Sequence, residues 1–146
     1  MNRKGITLIE LSTVMAIIAI GALLLSPNIG GWLHYYRLKS ATRDIVSLMR
    51  VAQMKAVSTN DRYRVKFDQG EGSFVLERQV EKDWTAEADS QKLPKGIEMV
   101  ELTFTGKIAL FNPNATSSSG SVTLKNPRGS TKRIALTSAT GRIRIE

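Results

Sequence analysis

Twenty consecutive residues, Ile6 to Leu25, carry one charge between them. The segment reads ITLIELSTVMAIIAIGALLL and its charge is Glu10. At about 1.5 Å per residue, a helix of this length measures about 30 Å, enough to cross a bilayer core. Met1, Asn2, Arg3, Lys4 and Gly5 precede it, and Ser26, Pro27 and Asn28 follow. Three readings compete. The run is a secretory signal peptide cut near Ser26, a plain membrane anchor, or a segment cut before its apolar stretch, after Gly5, so that the stretch stays in the mature protein. Glu10 separates them. A charged carboxylate at the centre of a membrane helix costs about 2.5–3.5 kcal/mol on insertion scales, so such residues are rare and functional. Near the end of the run the cost falls, yet signal peptides and passive anchors have no use for an acid there. Charge around the run decides less: Arg3 and Lys4 favour a cytoplasmic start, but Arg37, Lys39 and Arg43 follow on the other side.

The remainder is sized for one domain in a chain of 146 residues. It contains no cysteine, which excludes a disulfide scaffold and a thiolate metal site. His34 is the single histidine, so a histidine-rich metal site and a Cys/His nucleophile are excluded as well. The net charge of +8 is unevenly spread. Residues 1–61 sum to +4, residues 62–105 to −2 and residues 106–146 to +6, with Glu146 the only acid of the last block. A solvated face is the ordinary reading of such a run.

Pro27 and Gly30-Gly31 interrupt the helical pattern, and a helix continuing through them carries a kink. From Trp32 to about Thr59 the pattern is helical again, with Leu38, Ala41, Ile45, Leu48, Met49, Ala52 and Ala56 at three- and four-residue steps. Arg37, Arg43, Asp44, Arg50 and Gln53 fall largely off that stripe. After Asn60-Asp61 the period drops to two: Tyr63, Val65 and Phe67 alternate with charged residues, and a turn at 69–72 leads into Phe74 and Leu76. Residues 81–96 read as a polar loop. Strand-like runs follow at 97–104, 107–111, 121–125, 132–137 and 142–145. The polar stretch 112–120 is a loop unable to pack a core. The fold class is α+β: a long N-terminal helix, half membrane-grade and half amphipathic, whose second half covers a domain of six or seven antiparallel strands.

Lys4-Gly5 followed by Ile6-Thr7-Leu8-Ile9-Glu10-Leu11 resembles the prepilin signature of type IV pilins and of the pseudopilins of type II secretion. The resemblance implies a leader of residues 1–5, cleavage by a prepilin peptidase between Gly5 and Ile6, and methylation of the new N-terminus at Ile6. Glu10 becomes the fifth mature residue and Pro27 the twenty-second, where the family carries its glutamate and, in many members, a helix-kinking proline. Ile6 departs from the phenylalanine usual at the first mature position. Downstream, Gly106–Asn114, Gly120–Leu124, Asn126–Gly129 and Gly141–Ile145 resemble the GspH/FimT-like branch, whose members are minor subunits.

The implied organisation is a leader (1–5), a transmembrane and assembly half-helix (6–31) and a pilin-like globular domain (32–146), with its amphipathic helix at 32–59 and its sheet region at 62–146. The implied protein is a minor pilin or pseudopilin, single-pass in the bacterial inner membrane with its C-terminal domain in the periplasm, and inserted into a pilus or pseudopilus. Its partners are other pilins or pseudopilins, the prepilin peptidase, the inner-membrane assembly platform and inner-membrane lipid. Between neighbouring helices, Glu10 can pair with the Ile6 amine, each offsetting the burial of the other; the ordinary alternative is a carboxylate that merely reaches the membrane surface.

Alternation sends Arg142 and Arg144 to one face of the last strand, and these arginines, with Arg128, Lys132 and Arg133, form a candidate DNA-binding patch. Some transformation-linked members of the family resemble this sequence in a Gly-Arg-x-Arg tail that contacts DNA. No aromatic residue is interleaved for base stacking, and a solvated face explains the same charges. A third alternative is a membrane-anchored periplasmic binding domain that never polymerises. Trp32, Tyr35 and Tyr36 suit a membrane-interface belt. No catalytic constellation stands out, and no enzyme activity, cofactor or metal is expected.

Overall fold

The computed structural model describes residues 7–24 and 29–146. Gly5, Ile6 and Pro27 lie outside them. The chain divides into two units, Met1–Trp32 and Leu33–Glu146.

In the first unit, α1 (Leu8–Leu24) is apolar on every side, so nothing in its sequence prefers one face. Ser12 and Thr13, its hydroxyl residues, donate back to the Ile9 carbonyl at 2.9 and 2.8 Å, which keeps their polar atoms inside the helix's own bonding. Among the described residues no helix is long and apolar enough to cross a membrane. The apolar run of the sequence, Ile6–Leu25, extends past both ends of the 17-residue α1 into residues outside the described set.

The helix α2 (Ile29–Thr59) starts in the first unit and supplies the only α-helix described in the second. Its apolar stripe is buried as the spacing requires: Leu38, Ala41, Ile45, Met49, Ala52 and Ala56 are each 0–1% exposed. Small alanines alternate with large side chains, which lets the helix lie close on a sheet.

Nine strands follow: β1 (Tyr63–Asp68), β2 (Ser73–Val80), β3 (Asp83–Ala86), β4 (Gln91–Lys92), β5 (Glu98–Leu102), β6 (Ile108–Phe111), β7 (Gly120–Lys125), β8 (Thr131–Thr137) and β9 (Arg142–Ile145). They form two antiparallel sheets. The first runs β3-β2-β1-β6, with β4 also on β2, and the second runs β5-β7-β8-β9. Tyr63, Val65, Phe67, Phe74, Leu76, Ala109 and Phe111 from the first sheet, and Val122, Leu124, Ile134 and Leu136 from the second, join the α2 stripe in one core. Phe67 stacks on Phe104 with ring centroids 5.7 Å apart, and Gly120 leaves no room for a side chain beside that same ring.

One expectation is corrected. The segment 81–96 is not simply a loop: β3 and β4 pair with the two halves of β2. Their side chains are almost all exposed, so no alternation betrays them; backbone pairing and the Arg64 guanidinium over the Trp84 ring, 4.2 Å from its centroid, hold the edge. The stretch 112–119 is the loop expected, and hydrogen bonds tie it down. Ser117 N–H and Oγ–H donate to the carbonyls of Ser138 and Thr137 (3.0 and 3.1 Å). Ser118 N–H donates to the Leu110 carbonyl (2.9 Å), and its Oγ accepts from Leu110 N–H (3.0 Å). A serine pair thus straps β6 of one sheet to the end of β8 in the other.

Candidate functional site

Glu10 sits in the first turn of α1, on an exposed position. Thr7 immediately precedes the helix, and Glu10 N–H donates to its carbonyl at 3.1 Å and approaches its hydroxyl oxygen at 3.4 Å. Thr7-x-x-Glu10 is the spacing of a capping box, in which the hydroxyl caps the third helical N–H and the acid favours the positive helix end. The sequence readings of Glu10, as an assembly group or as a carboxylate reaching the membrane surface, both left out the cap, although the Thr-x-x-Glu spacing was there to be read. The acid therefore has a local reason to sit at this position as well. Its charge is the only one on α1, which leaves it as the sole strong electrostatic contact an apolar helix of this kind can offer a neighbour.

The second candidate lies on the second sheet. Register pairs Thr123 with Arg133, Ala135 with Arg144 and Thr137 with Arg142. Arg133, Arg142 and Arg144 therefore share the outer face, and all three are exposed. Lys132 pairs with Leu124, on the same side as Ile134 and Leu136, so it points to the α2 side. Arg128 lies apart from both, in the turn between β7 and β8 that Asn126 closes by accepting from Arg128 and Ser130 N–H at 3.1 and 2.9 Å. The five basic residues are thus divided among three places and do not form a single face. On the side of β9 opposite Arg142 and Arg144, alternation predicts a buried pair, but Ile145 is 48% exposed at the rim, while Ile143 is partly buried against the core.

The β8–β9 turn is set against α2 by Gly141. Its φ of +58° is left-handed, and a side chain there would run into the Gln53 amide and the Ala115 carbonyl oxygen. An open cleft of about 610 Å³ follows, lined by Arg50 and Gln53 of α2 and by Arg142, Ile143 and Arg144 among others. Further along the same strand a smaller cleft is lined by Tyr35, Lys39, Arg43, Lys132 and Ile145.

Elsewhere, charge is spent on structure. Arg78 donates to Asp61 at 2.7 and 3.1 Å, and that carboxylate raises the arginine's pKa while tying the end of α2 to β2. Asp68 accepts from the backbone N–H of Gly70 and Glu71 (2.9 and 3.0 Å); the Glu71 bond is the chief reason its pKa is lowered. Among the described residues no group of His, Asp and Glu could hold a metal ion. The imidazole Nδ1 of His34 is buried without a hydrogen-bond partner among them.

Known proteins place this architecture. The prokaryotic N-terminal methylation motif matches residues 1–26. The family of type II transport protein GspH matches residues 41–141, more than two thirds of the chain. Among solved structures, the minor pseudopilin EpsH of the Vibrio cholerae type 2 secretion system aligns with a TM-score of 0.64 at 11% identity, over 75% of this chain and 96% of that one. The type IV minor pilin FimU of Pseudomonas aeruginosa aligns with a TM-score of 0.61 at 13% identity, over 79% and 92%. At these identities the likeness is one of fold: a long N-terminal helix and antiparallel sheets. No curated protein matches the chain in sequence. With its methylation motif and a family match over more than two thirds of its length, the chain belongs to the family of type II transport protein GspH, and its fold is the one those minor pseudopilin and minor pilin structures share.

Proposed function

We propose that the first unit is the assembly device and that Glu10 sets its register. Prepilin peptidase cuts between Gly5 and Ile6, Ile6 is methylated, and the chain waits as a single-pass protein of the inner membrane with residues 33–146 on the periplasmic side. The assembly platform then moves it into a pilus or pseudopilus among other pilins. In that bundle the Glu10 carboxylate pairs with the Ile6 amine of a neighbour, and Pro27 lets the helix bend. The carrying observation is that α1 offers one charge, Glu10, on a helix whose only other polar side chains, Ser12 and Thr13, are bonded back to its own backbone. In a low-dielectric bundle an unpaired charge is costly, so neighbours slide until it is matched. Mass spectrometry of the mature N-terminus tests the reading: a methylated Ile6 is expected, and an intact Met1 or a start after Ser26 would overturn it.

A second reading is DNA retention. Arg133, Arg142 and Arg144 share one exposed face, and none is in an ion pair among the described residues. Such a face attracts backbone phosphate without sequence readout. Full-length protein in detergent should retard duplex DNA at low salt, and Arg142→Ala with Arg144→Ala should flatten the salt slope by about one unit per lost phosphate contact. No retardation at low ionic strength would end it.

A further inference from the structure

We infer that the free edge of β9, together with the α2 flank beside it, takes up an extended acidic segment of another protein chain as an added strand. The inference does not draw on Glu10 and stands or falls separately from the assembly reading.

The backbone supplies the first half of the argument. β9 ends the order of the second sheet. Arg133 N–H donates to the Glu146 carbonyl at 2.9 Å and Glu146 N–H to the Arg133 carbonyl at 2.8 Å. In an antiparallel ladder such bonded pairs alternate with non-bonded ones. Arg142 and Arg144 therefore turn their backbone groups towards β8, while Ile143 and Ile145 turn N–H and C=O towards the open side. An edge with this spacing is a template for an incoming extended peptide.

Charge supplies the second half. Lys39, Arg43 and Arg50 recur at four and seven residues along one edge of α2 and line the two clefts that follow β9. Lys132, Arg142 and Arg144 line them from the sheet. None of the six cations is in an ion pair among the described residues, and no acid lines either cleft. Glu146 continues β9 on the face of Arg142 and Arg144, away from the α2 side. A strand laid along β9 would alternate its side chains between the α2 cations and the arginine face, so carboxylates on either side find counter-ions. Ile145, half exposed at the rim, adds an apolar contact. Duplex DNA would meet the cations but leave the outward N–H and C=O groups of Ile143 and Ile145 without a ladder partner, so a peptide is favoured.

The test uses full-length protein in detergent and a labelled synthetic peptide alternating glutamate and valine, read by fluorescence anisotropy at low salt. The peptide should bind. A peptide N-methylated at alternate positions should bind at least about tenfold more weakly, which is about 1.4 kcal/mol. Lys39→Glu with Arg50→Glu, both at exposed sites, should weaken binding by a similar factor with an unchanged circular dichroism spectrum. No binding by the wild-type chain overturns the inference. So does equal binding of the N-methylated peptide, which would reduce the contact to charge alone. Displacement of the peptide by duplex DNA, with no effect of the two α2 reversals, overturns it in favour of DNA.

Discussion

The helices α1 and α2 are both rich in apolar residues, and they part company over where those residues go. On α1, Leu8, Ile9 and Ile18 are 86, 74 and 60% exposed. On α2, Ile45, Met49 and Ala52 are fully buried. Periodicity is the cause. An apolar stripe every three to four residues is satisfied by a sheet of the same chain, whereas a helix greasy all round can be satisfied only by lipid or by other chains. The contrast separates two kinds of residue: those whose loss is felt as instability, and those whose loss is felt only when subunits meet.

The strongest way to break the contrast is at Glu10. Glu10→Ala should nearly abolish recovery of the protein in sheared filaments while leaving unfolding of residues 33–146 unchanged. Glu10→Gln sharpens the point, because glutamine keeps the capping-box geometry but not the charge. It should fail as the alanine does; normal incorporation would assign Glu10 to helix capping alone. Next, Ile45→Ala should cost about 2–5 kcal/mol in urea unfolding, against no measurable change for Ile18→Ala; a matching loss at Ile18 would erase the distinction. Ser117→Ala, which removes one arm of the strap between the sheets, should cost about 1 kcal/mol. The smallest effect belongs to Asp68. Its folded pKa is lowered by the backbone N–H of Glu71, so its contribution is present above the unfolded value of about 3.9 and is lost as pH falls through the lower folded one. Asp68→Asn should therefore flatten the stability profile below about pH 4, and an unchanged profile would place the acid sensitivity elsewhere.

Legibility in the sequence followed the same divide. The α2 stripe and the alternation of Tyr63, Val65 and Phe67 announce burial directly, because one side of each element is apolar and the other charged. β3 and β4 were invisible because an exposed edge strand needs no alternation: Trp84 under Arg64 and a backbone ladder suffice. The division of the basic residues was partly legible: Lys132 and Arg133 are neighbours on one predicted strand, so alternation alone sends them to opposite faces, Lys132 with Ile134 and Leu136. The place of Arg128 was not legible, because it lies in a turn where alternation says nothing. Glu10 was legible as an oddity in an apolar run, but the role of Thr7 beneath it went unread, since attention to membrane cost passes over a local hydrogen bond.

The strap at Ser117 and Ser118 has a mechanical consequence. Apolar contact between the two sheets holds them together but is indifferent to direction, so it opposes sliding only weakly. Hydrogen bonds weaken steeply once bent. Those from Ser117 to Thr137 and Ser138, those between Ser118 and Leu110, and the one from the Gln69 amide to the Met99 carbonyl all run from one sheet to the other. Sliding one sheet along the other must bend these bonds, so they make the subunit stiff in a direction that burial alone leaves soft.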